Sequence, residues 1–339
     1  MTRRKASTVH KLLGFSFEDG LFFRNRDNPL ETDAVIVDEA SMLDAFLMYH
    51  LLQAIPMGTT LILVGDVFQL PSVGPGNVLS DIIQSQAIET FELSTIYRQA
   101  QESPIVMNAH RVRMGQQPDL ERAIGLNDRS EFLFLEQPVP DKAVEAIVAL
   151  CTENIPGEYG LDCINEVQVL SPMHKGAVGT INLNAVLQDA LNPSQVVATH
   201  NADTFKLGDK VMHLKNNYQK DVFNGDIGLI CEIDNSTRRL TVDYDDWFVE
   251  YEFGELDDLS LAYSITVHKS QGSEYPAVII PIMTQHYALL QRNLIYTAMT
   301  RGKQLVVFIG TRQALGIALK NDKPRKRLSG LAERLKVGS

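Results

Sequence analysis

Residues 35–71 read VIVDEASMLDAFLMYHLLQAIPMGTTLILVGDVFQLP, and the reading of this stretch decides the fold class. Val35-Ile36-Val37 is a short apolar run that ends in Asp38-Glu39. Thr59 to Val64 is a second run, and it ends in Gly65-Asp66. Between them Met42, Leu43, Phe46, Leu47 and Leu51 recur at helical spacing. Strand, helix, strand, with both strands apolar throughout, predicts an α/β unit whose parallel sheet is covered on both faces.

The pattern returns downstream. Val167 to Leu170, Ala277 to Ile282 and Leu305 to Ile309 read as strands, and a helix is expected from about Tyr287 to Thr300. Ser103-Pro104 suits a helix start, with Ser as cap and Pro in the first turn. Ile105, Val106, Ala109 and Val112 then share a face. Residues 203–260 differ. Lys210 to Leu214, Ile227 to Ile233, Leu240 to Tyr244 and Trp247 to Phe253 are short β-rich runs, punctuated by Asn224-Gly225, Asp234-Asn235 and Asp245-Asp246. They predict a small barrel inserted in the second α/β unit. Residues 15–24 predict a hairpin around Asp19-Gly20. The expected domains are therefore 1–95, then 96–202 with 261–339, with 203–260 as the insertion.

The chain has 339 residues, 45% hydrophobic and 22% charged, with net charge −11. That is the composition of a globular protein of two domains or slightly more. The acidic balance argues against coating duplex DNA by bulk charge, but leaves a narrow single-strand channel open. Basic residues cluster at Arg3, Arg4, Lys5, His10 and Lys11, and again at Lys320, Lys323, Arg325, Lys326, Arg327, Arg334 and Lys336. Both clusters read equally as solvated surface. No apolar run reaches the ~18 residues of a membrane span, and no apolar h-region follows the basic N-terminus. Cys151, Cys163 and Cys231 are too scattered for a disulfide framework or a zinc site. They read as idle thiols in a reducing, cytoplasmic setting.

Ligands of open α/β sheets bind beyond the carboxyl ends of the strands. Asp38 and Glu39 stand at one such end. Asp38 can hold the shell of a Mg²⁺ ion and Glu39 can polarise an attacking water; the plain alternative is an acidic pair at a helix start. Gly65-Asp66-Val67-Phe68-Gln69-Leu70-Pro71 follows the next strand, where Gln69 can touch a γ-phosphate. Arg98 and Arg301 suit stabilisation of a transferring phosphoryl group, although each alone could be an ordinary surface arginine. Ser264 to Glu274 is rich in small and polar donors suited to a phosphate backbone, with His268 alternatively a core histidine.

The segments DEAS (38–41), GDVFQLP (65–71), YRQ (97–99), THNADTFKLGDKVMHLKNNY (199–218), VFNGDIG (222–228), SITVHKSQGSEYP (264–276) and NLIYTAMTRGK (293–303) occur in this order. Together they resemble motifs II to VI of superfamily 1 helicases of the RecD/TraA type. TVHKLLG (8–14) resembles the segment before the family's hairpin. The resemblance covers nearly the whole chain. It implies two RecA-like motor domains with ATP and Mg²⁺ between them, an SH3-like barrel, and a hairpin pin that splits duplex. It also implies 5′→3′ movement on single-stranded DNA. By motif match, Asp38 holds Mg²⁺, Glu39 activates water, Gln69 senses the γ-phosphate, and Arg98 and Arg301 are finger arginines. Gly65, Asp66, Gly272 and Glu274 are then nucleotide-binding. His10, Leu70, Pro71, Thr266, His268 and Lys269 are DNA-facing, at single-stranded DNA or its junction with duplex.

One departure matters. No G-x-x-x-x-G-K-[ST] loop occurs in the sequence: Gly302-Lys303 lacks the upstream Gly, and Lys175 to Thr180 has no Lys after its second Gly. In the family this loop precedes the segment resembling residues 1–14. The expectation is a chain truncated at its N-terminus and inactive alone, or completed by a missing segment or protein partner. A non-hydrolysing, helicase-derived binding module is the competing reading, and an RNA helicase of the same superfamily is a third.

Overall fold

In the computed structural model, which describes residues 6–16, 19–93, 102–120, 130–201, 203–322, 327 and 329–337, the chain divides into two units. One is 1–95 with 323–339; the other is 96–322. Arg3, Arg4, Lys5, Phe17, Glu18, the Tyr97-Arg98-Gln99 segment, Lys323, Arg325 and Lys326 lie outside the described residues.

In the first unit the two apolar runs become parallel strands, β1 (Ala34–Val37) and β2 (Thr60–Leu63), in register Val35 to Leu61 and Val37 to Leu63. Helix α1 (Val9–Leu13) starts at Thr8, whose side chain accepts from Lys11 N–H, and stops at Gly14 in the left-handed region. Helix α2 (Ala45–Ala54) connects the strands, capped by Asp44, which accepts from Leu47 N–H at 2.7 Å. Helix α3 (Val78–Ser85) follows β2. Val35, Val37, Leu43, Met48, Leu51, Ile82 and Leu13 build one core. The sheet is covered on that face alone. Ile36 is 68% exposed and Ile62 44%, so the expectation of cover on both faces fails here. β1 and β2 pair only with each other among the described residues, and their second face is left open. Of the hairpin expected at 15–24, the described residues show one antiparallel bridge, Phe15 to Phe22, with Ser16 N–H donating to Leu21 O.

The C-terminal segment also corrects the sequence reading. It was expected in the second motor domain, but the C-terminal helix Leu331–Val337 packs on α3, with Leu331 and Leu335 against the first unit's core. An amphipathic helix goes where its apolar residues are covered, and sequence position does not fix that choice.

The second unit contains a five-stranded, all-parallel sheet in the order β12-β4-β13-β14-β3. Its strands are β3 (Phe132–Glu136), β4 (Val167–Ser171), β12 (Ser264–Thr266), β13 (Tyr275–Ile282) and β14 (Gly302–Gly310). Here the doubly covered sheet is realised. Val169, Ile279 and Val307 face a core with α5 (Pro140–Ala149) and α7 (Thr180–Leu191). The alternate residues Leu170, Val278, Ile280 and Phe308 are equally buried, on the side of α4 (Pro104–Arg113) and α8 (Arg292–Met299). Helix α5 runs through a wider turn at Leu150–Asn154 into α6 (Ile155–Tyr159), and α9 (Arg312–Lys320) follows β14. Two sequence expectations shift. The helix expected from Tyr287 starts only at Arg292. Ser103 precedes α4 without capping it, because its hydroxyl donates to Glu131 at 2.7 Å. Cys151 and Cys163 are buried in one core, where a thiol–thiol hydrogen bond and burial push the Cys151 thiol up.

The inserted β module is a five-stranded antiparallel sheet, order β10-β9-β8-β7-β11. Its strands are β7 (Lys210–His213), β8 (Ile227–Asp234), β9 (Arg239–Tyr244), β10 (Trp247–Glu252) and β11 (Leu259–Leu261). A further hairpin of β5 (Val197–His200) and β6 (Asp203–Lys206) adds Ala198 and Phe205 to its core. The module therefore starts before residue 203 and ends at Leu261, wider than expected. The short first arm of that hairpin lacks the apolar run that would have marked it.

Candidate nucleotide and DNA sites

In the first unit the Asp38-Glu39 turn and the Gly65–Pro71 loop meet at the carboxyl ends of β1 and β2. Ala40 N–H donates to Val64 O at 2.8 Å, which joins the two segments through the backbone. Gly65 is required there by space: a Cβ would lie 3.0 Å from Ala40 N and Ser41 N and 2.9 Å from Leu79 Cδ2. Asp38 is exposed, and one of its oxygens accepts from Glu39 N–H at 2.8 Å. Glu39 is half-buried at φ 50°, ψ 40°, a left-handed conformation that costs a non-glycine residue energy and marks a constrained position. In the loop, Asp66 accepts from Phe68 N–H at 2.9 Å and Gln69 N–H donates to Asp66 O. Gln69 is half-buried, and Leu70 is 4% exposed. Leu70 can thus meet a ligand through its backbone but not its side chain, while Pro71 is half-buried.

A magnesium ion suits this donor set. A hard cation takes one or two carboxylates and fills its remaining positions with water and phosphate oxygens. Asp38 supplies such a carboxylate, and no cluster of three or more His, Cys, Asp or Glu competes among the described residues. His10 sits in an aromatic cluster, with ring centroids 5.5 Å from Phe15 and 5.9 Å from Phe22. Burial lowers its pKa, against the pull of Asp44.

In the second unit the Ser264 to Glu274 stretch forms β12 and a tight turn, Val267–Ser270, that Thr266 caps by accepting from Lys269 N–H. Thr266 is buried; His268 is at the surface and Lys269 is half-buried. Desolvation lowers the pKa of both His268 and Lys269, and His174 adds to the effect on His268. His174 escaped the sequence reading, since its only mark is a place in a loop before α7. Its Nδ1 lies 3.1 Å from Thr180 Oγ1. Thr180 and Ile181 N–H groups donate to Met173 and His174 carbonyls, so the first amides of α7 are already used.

Arg301, Gly272 and Glu274 come together in the same unit. Arg301 is 3% exposed and donates to Ser273 O at 3.0 Å, to Thr297 O and to Thr300 Oγ1. Gly272 turns at φ 78°, and Glu274 pairs with Lys303 at 2.8 Å. Arg301 thus fixes the 272–274 loop against the end of α8. Arg98 lies outside the described residues.

Three families match in chain order. Residues 1–75 match an AAA domain, 183–244 the SH3 domain of ATP-dependent RecD-like DNA helicases, and 261–309 a UvrD-like helicase C-terminal domain. An ATP-dependent RecD2 DNA helicase from Deinococcus radiodurans is 37% identical over 337 residues, 99% of this chain and 44% of that protein. The chain is thus similar over nearly its whole length to RecD-type superfamily 1 helicases. A RecBCD enzyme subunit RecD from Mycobacterium tuberculosis is 30% identical over 342 residues, 97% of this chain and 58% of that protein. The chain spans about half the length of the curated relatives it matches. Its fold is that of a Bacteroides Pif1 helicase solved with ADP-AlF3 and ssDNA, at TM-score 0.54 and 20% identity, covering 97% of this chain and 83% of that one. The Pif1 helicase from Candida albicans gives TM-score 0.51 at 17% identity, covering 98% and 85%. The fold class is thus two α/β motor units with parallel sheets and an SH3-like barrel. No helix among the described residues is long and apolar enough to cross a membrane.

Proposed function

We propose that this chain is the core of a cytoplasmic, ATP-dependent DNA helicase that moves 5′→3′ on single-stranded DNA and opens duplex ahead of it. The observation that carries this reading is the joining of two strand-end segments, Asp38-Glu39 and Gly65–Pro71, into one backbone-locked group. Asp38 would hold Mg²⁺, which supplies charge neutralisation on the phosphates. Glu39 orients and polarises the attacking water. Gln69 reads the γ-phosphate. Arg98 and Arg301 offer positive charge to the transferring group, and Gly65, Asp66, Gly272 and Glu274 shape the nucleotide's surroundings. Pro71 and the Leu70 backbone in the first unit, and His268 and Lys269 in the second, would meet single-stranded DNA, with buried Thr266 capping the turn that carries Lys269.

The sequence has no G-x-x-x-x-G-K-[ST] loop, so the phosphate cradle must come from elsewhere. The open second face of β1 and β2, with Ile36 and Ile62 outward, supports a reading in which further protein completes the first unit. As given, the chain is expected to bind oligo(dT) weakly, with affinity that falls steeply with salt. The test is fluorescence anisotropy with oligo(dT) and with the matching RNA, followed by unwinding of forks carrying a 5′ or a 3′ tail by a chain supplied with the loop. Binding that ignores salt, or unwinding of 3′-tailed forks alone, would count against the proposal.

A further inference from the structure

Arg327 does something the sequence did not signal. It belongs to a basic C-terminal cluster that reads as solvated tail, yet it is half-buried. Its guanidinium donates to four acceptors of a single loop: Ser72 O, Ser72 Oγ at 3.1 Å, Gly74 O, and Gly76 O at 2.7 Å. Three of these acceptors, Ser72 Oγ, Gly74 O and Gly76 O, converge on Nη1, whose two hydrogens they share, while Nη2 donates to Ser72 O, so both terminal nitrogens of the guanidinium engage the one loop.

The opposite side of the loop is fixed as well. Ser72 N–H donates to Ser41 O at 3.1 Å and Ala45 N–H to Pro75 O at 2.8 Å. Gly74 has no room for a side chain, since a Cβ would fall 1.9 Å from Asp44 Oδ2. Gly76 turns at φ 95°, with its Cβ position 2.9 Å from Ala45 Cβ. The loop 72–76 is thus held between the start of α2 and Arg327. It runs directly on from Gln69-Leu70-Pro71. The C-terminal segment is itself anchored further along, by Ser329 Oγ donating to Asp81 and by Leu331 and Leu335 in the core. No carboxylate pairs with Arg327 among the described residues, so its guanidinium is committed to the 72–76 loop.

We propose that Arg327 is a positioning residue, which clamps the 72–76 loop from the C-terminal segment and so holds Gln69–Pro71 in the conformation that meets single-stranded DNA. The DNA part of this inference rests on the function proposed above; the clamp itself does not. Without the guanidinium, the carbonyls of Ser72, Gly74 and Gly76 lose a shared donor, and the loop samples conformations that DNA binding must then select against.

The test uses the whole chain with Arg327→Ala, Arg327→Lys and Arg327→Gln. Amide exchange should rise about tenfold or more across 72–79 in Arg327→Ala while β4 and β13 stay protected. Oligo(dT) affinity should fall about tenfold. Ethylguanidinium should restore both at an ionic strength where ethylammonium does not, and Arg327→Lys should rescue only in part. A role limited to fold stability would not show that chemical selectivity. If Arg327→Ala loses protection everywhere, Arg327→Gln carries the comparison, with the same outcomes required. Unchanged exchange at 72–79 overturns the clamp. Faster exchange with unchanged oligo(dT) affinity overturns the positioning role. Failure of the unsubstituted chain to bind oligo(dT) sinks the proposed function, and the DNA part of this inference with it.

Discussion

Glu39 and Gly65 are fixed by opposite demands at the same place. Glu39 holds a left-handed backbone that its side chain disfavours, and Gly65 supplies the missing Cβ that lets two backbones approach. Gly65→Ala should cost the first unit about 1–3 kcal/mol, read as a lower urea midpoint by far-UV circular dichroism with faster exchange at Ala40 and Ser41. An unchanged midpoint would remove the steric argument. The placement of Asp38, Glu39, Gly65 and Gln69 beyond the strand ends was legible because the apolar runs announce where the strands stop. The burial of Leu70 was not, because whether a loop side chain turns inward depends on its neighbours in space. The same holds for Arg301. Sequence motif placed it, but only the structure shows its guanidinium spent on Ser273 and Thr297. Arg301→Ala should therefore loosen the 272–274 loop as well as remove a positive charge, so it tests the finger role less cleanly than a residue outside the packing.

At the scale of elements, apolar runs gave β1, β2, β4, β13 and β14 to within about three residues, but not β3 (Phe132–Glu136) or the three-residue β12 (Ser264–Thr266). What they could not give was cover. Val35-Ile36-Val37 and Val278-Ile279-Ile280 look alike as sequence, yet Ile36 is open and the latter three are buried. The difference lies in what packs on the second face, and no local pattern records that. In the β module the two-residue turn between β9 and β10 places Asp245 at φ 51° and Asp246 at φ 71°, both costly for an L side chain. Asp246→Gly should stabilise the module by about 0.5–1 kcal/mol. Trp247 is the sole tryptophan and begins β10, so its fluorescence reports this unfolding directly. A lower midpoint would contradict the turn assignment.

Across the whole molecule, the division of the chain was the least legible feature. The return of residues 323–339 to the first unit depends on one arginine finding three carbonyls and two leucines finding a core, and neither has a periodic signature. Titration is a second property of the whole. Burial lowers the pKa of His213, and that of His286 from 6.5 to about 4. Met283 N–H donates to His286 Nδ1, an arrangement that a proton on that nitrogen would break. The fold holds these two rings neutral, so the stability they contribute is complete above pH 6.5 and is lost as pH falls below it, for His286 toward 4. For His286 the loss is up to about 3 kcal/mol. The urea midpoint of the second unit should decline across that window, and His286→Gln should flatten the decline. A flat profile in the unsubstituted chain would contradict the burial argument.

Under the proposed function, Asp38, Glu39 and Gln69 are hydrolytic residues of a motor, and the sequence holds no G-x-x-x-x-G-K-[ST] loop to serve with them. The most direct measurement is DNA-stimulated ATP hydrolysis by this chain, by a chain extended to carry a G-x-x-x-x-G-K-[ST] loop, and by the extended chain with Glu39→Gln. Background turnover is expected from the first and DNA-stimulated turnover from the second. The third should lose about 10²–10⁴ in kcat with oligo(dT) affinity within a few-fold. Robust turnover from the chain as it stands, or normal turnover with Glu39→Gln, would contradict the account.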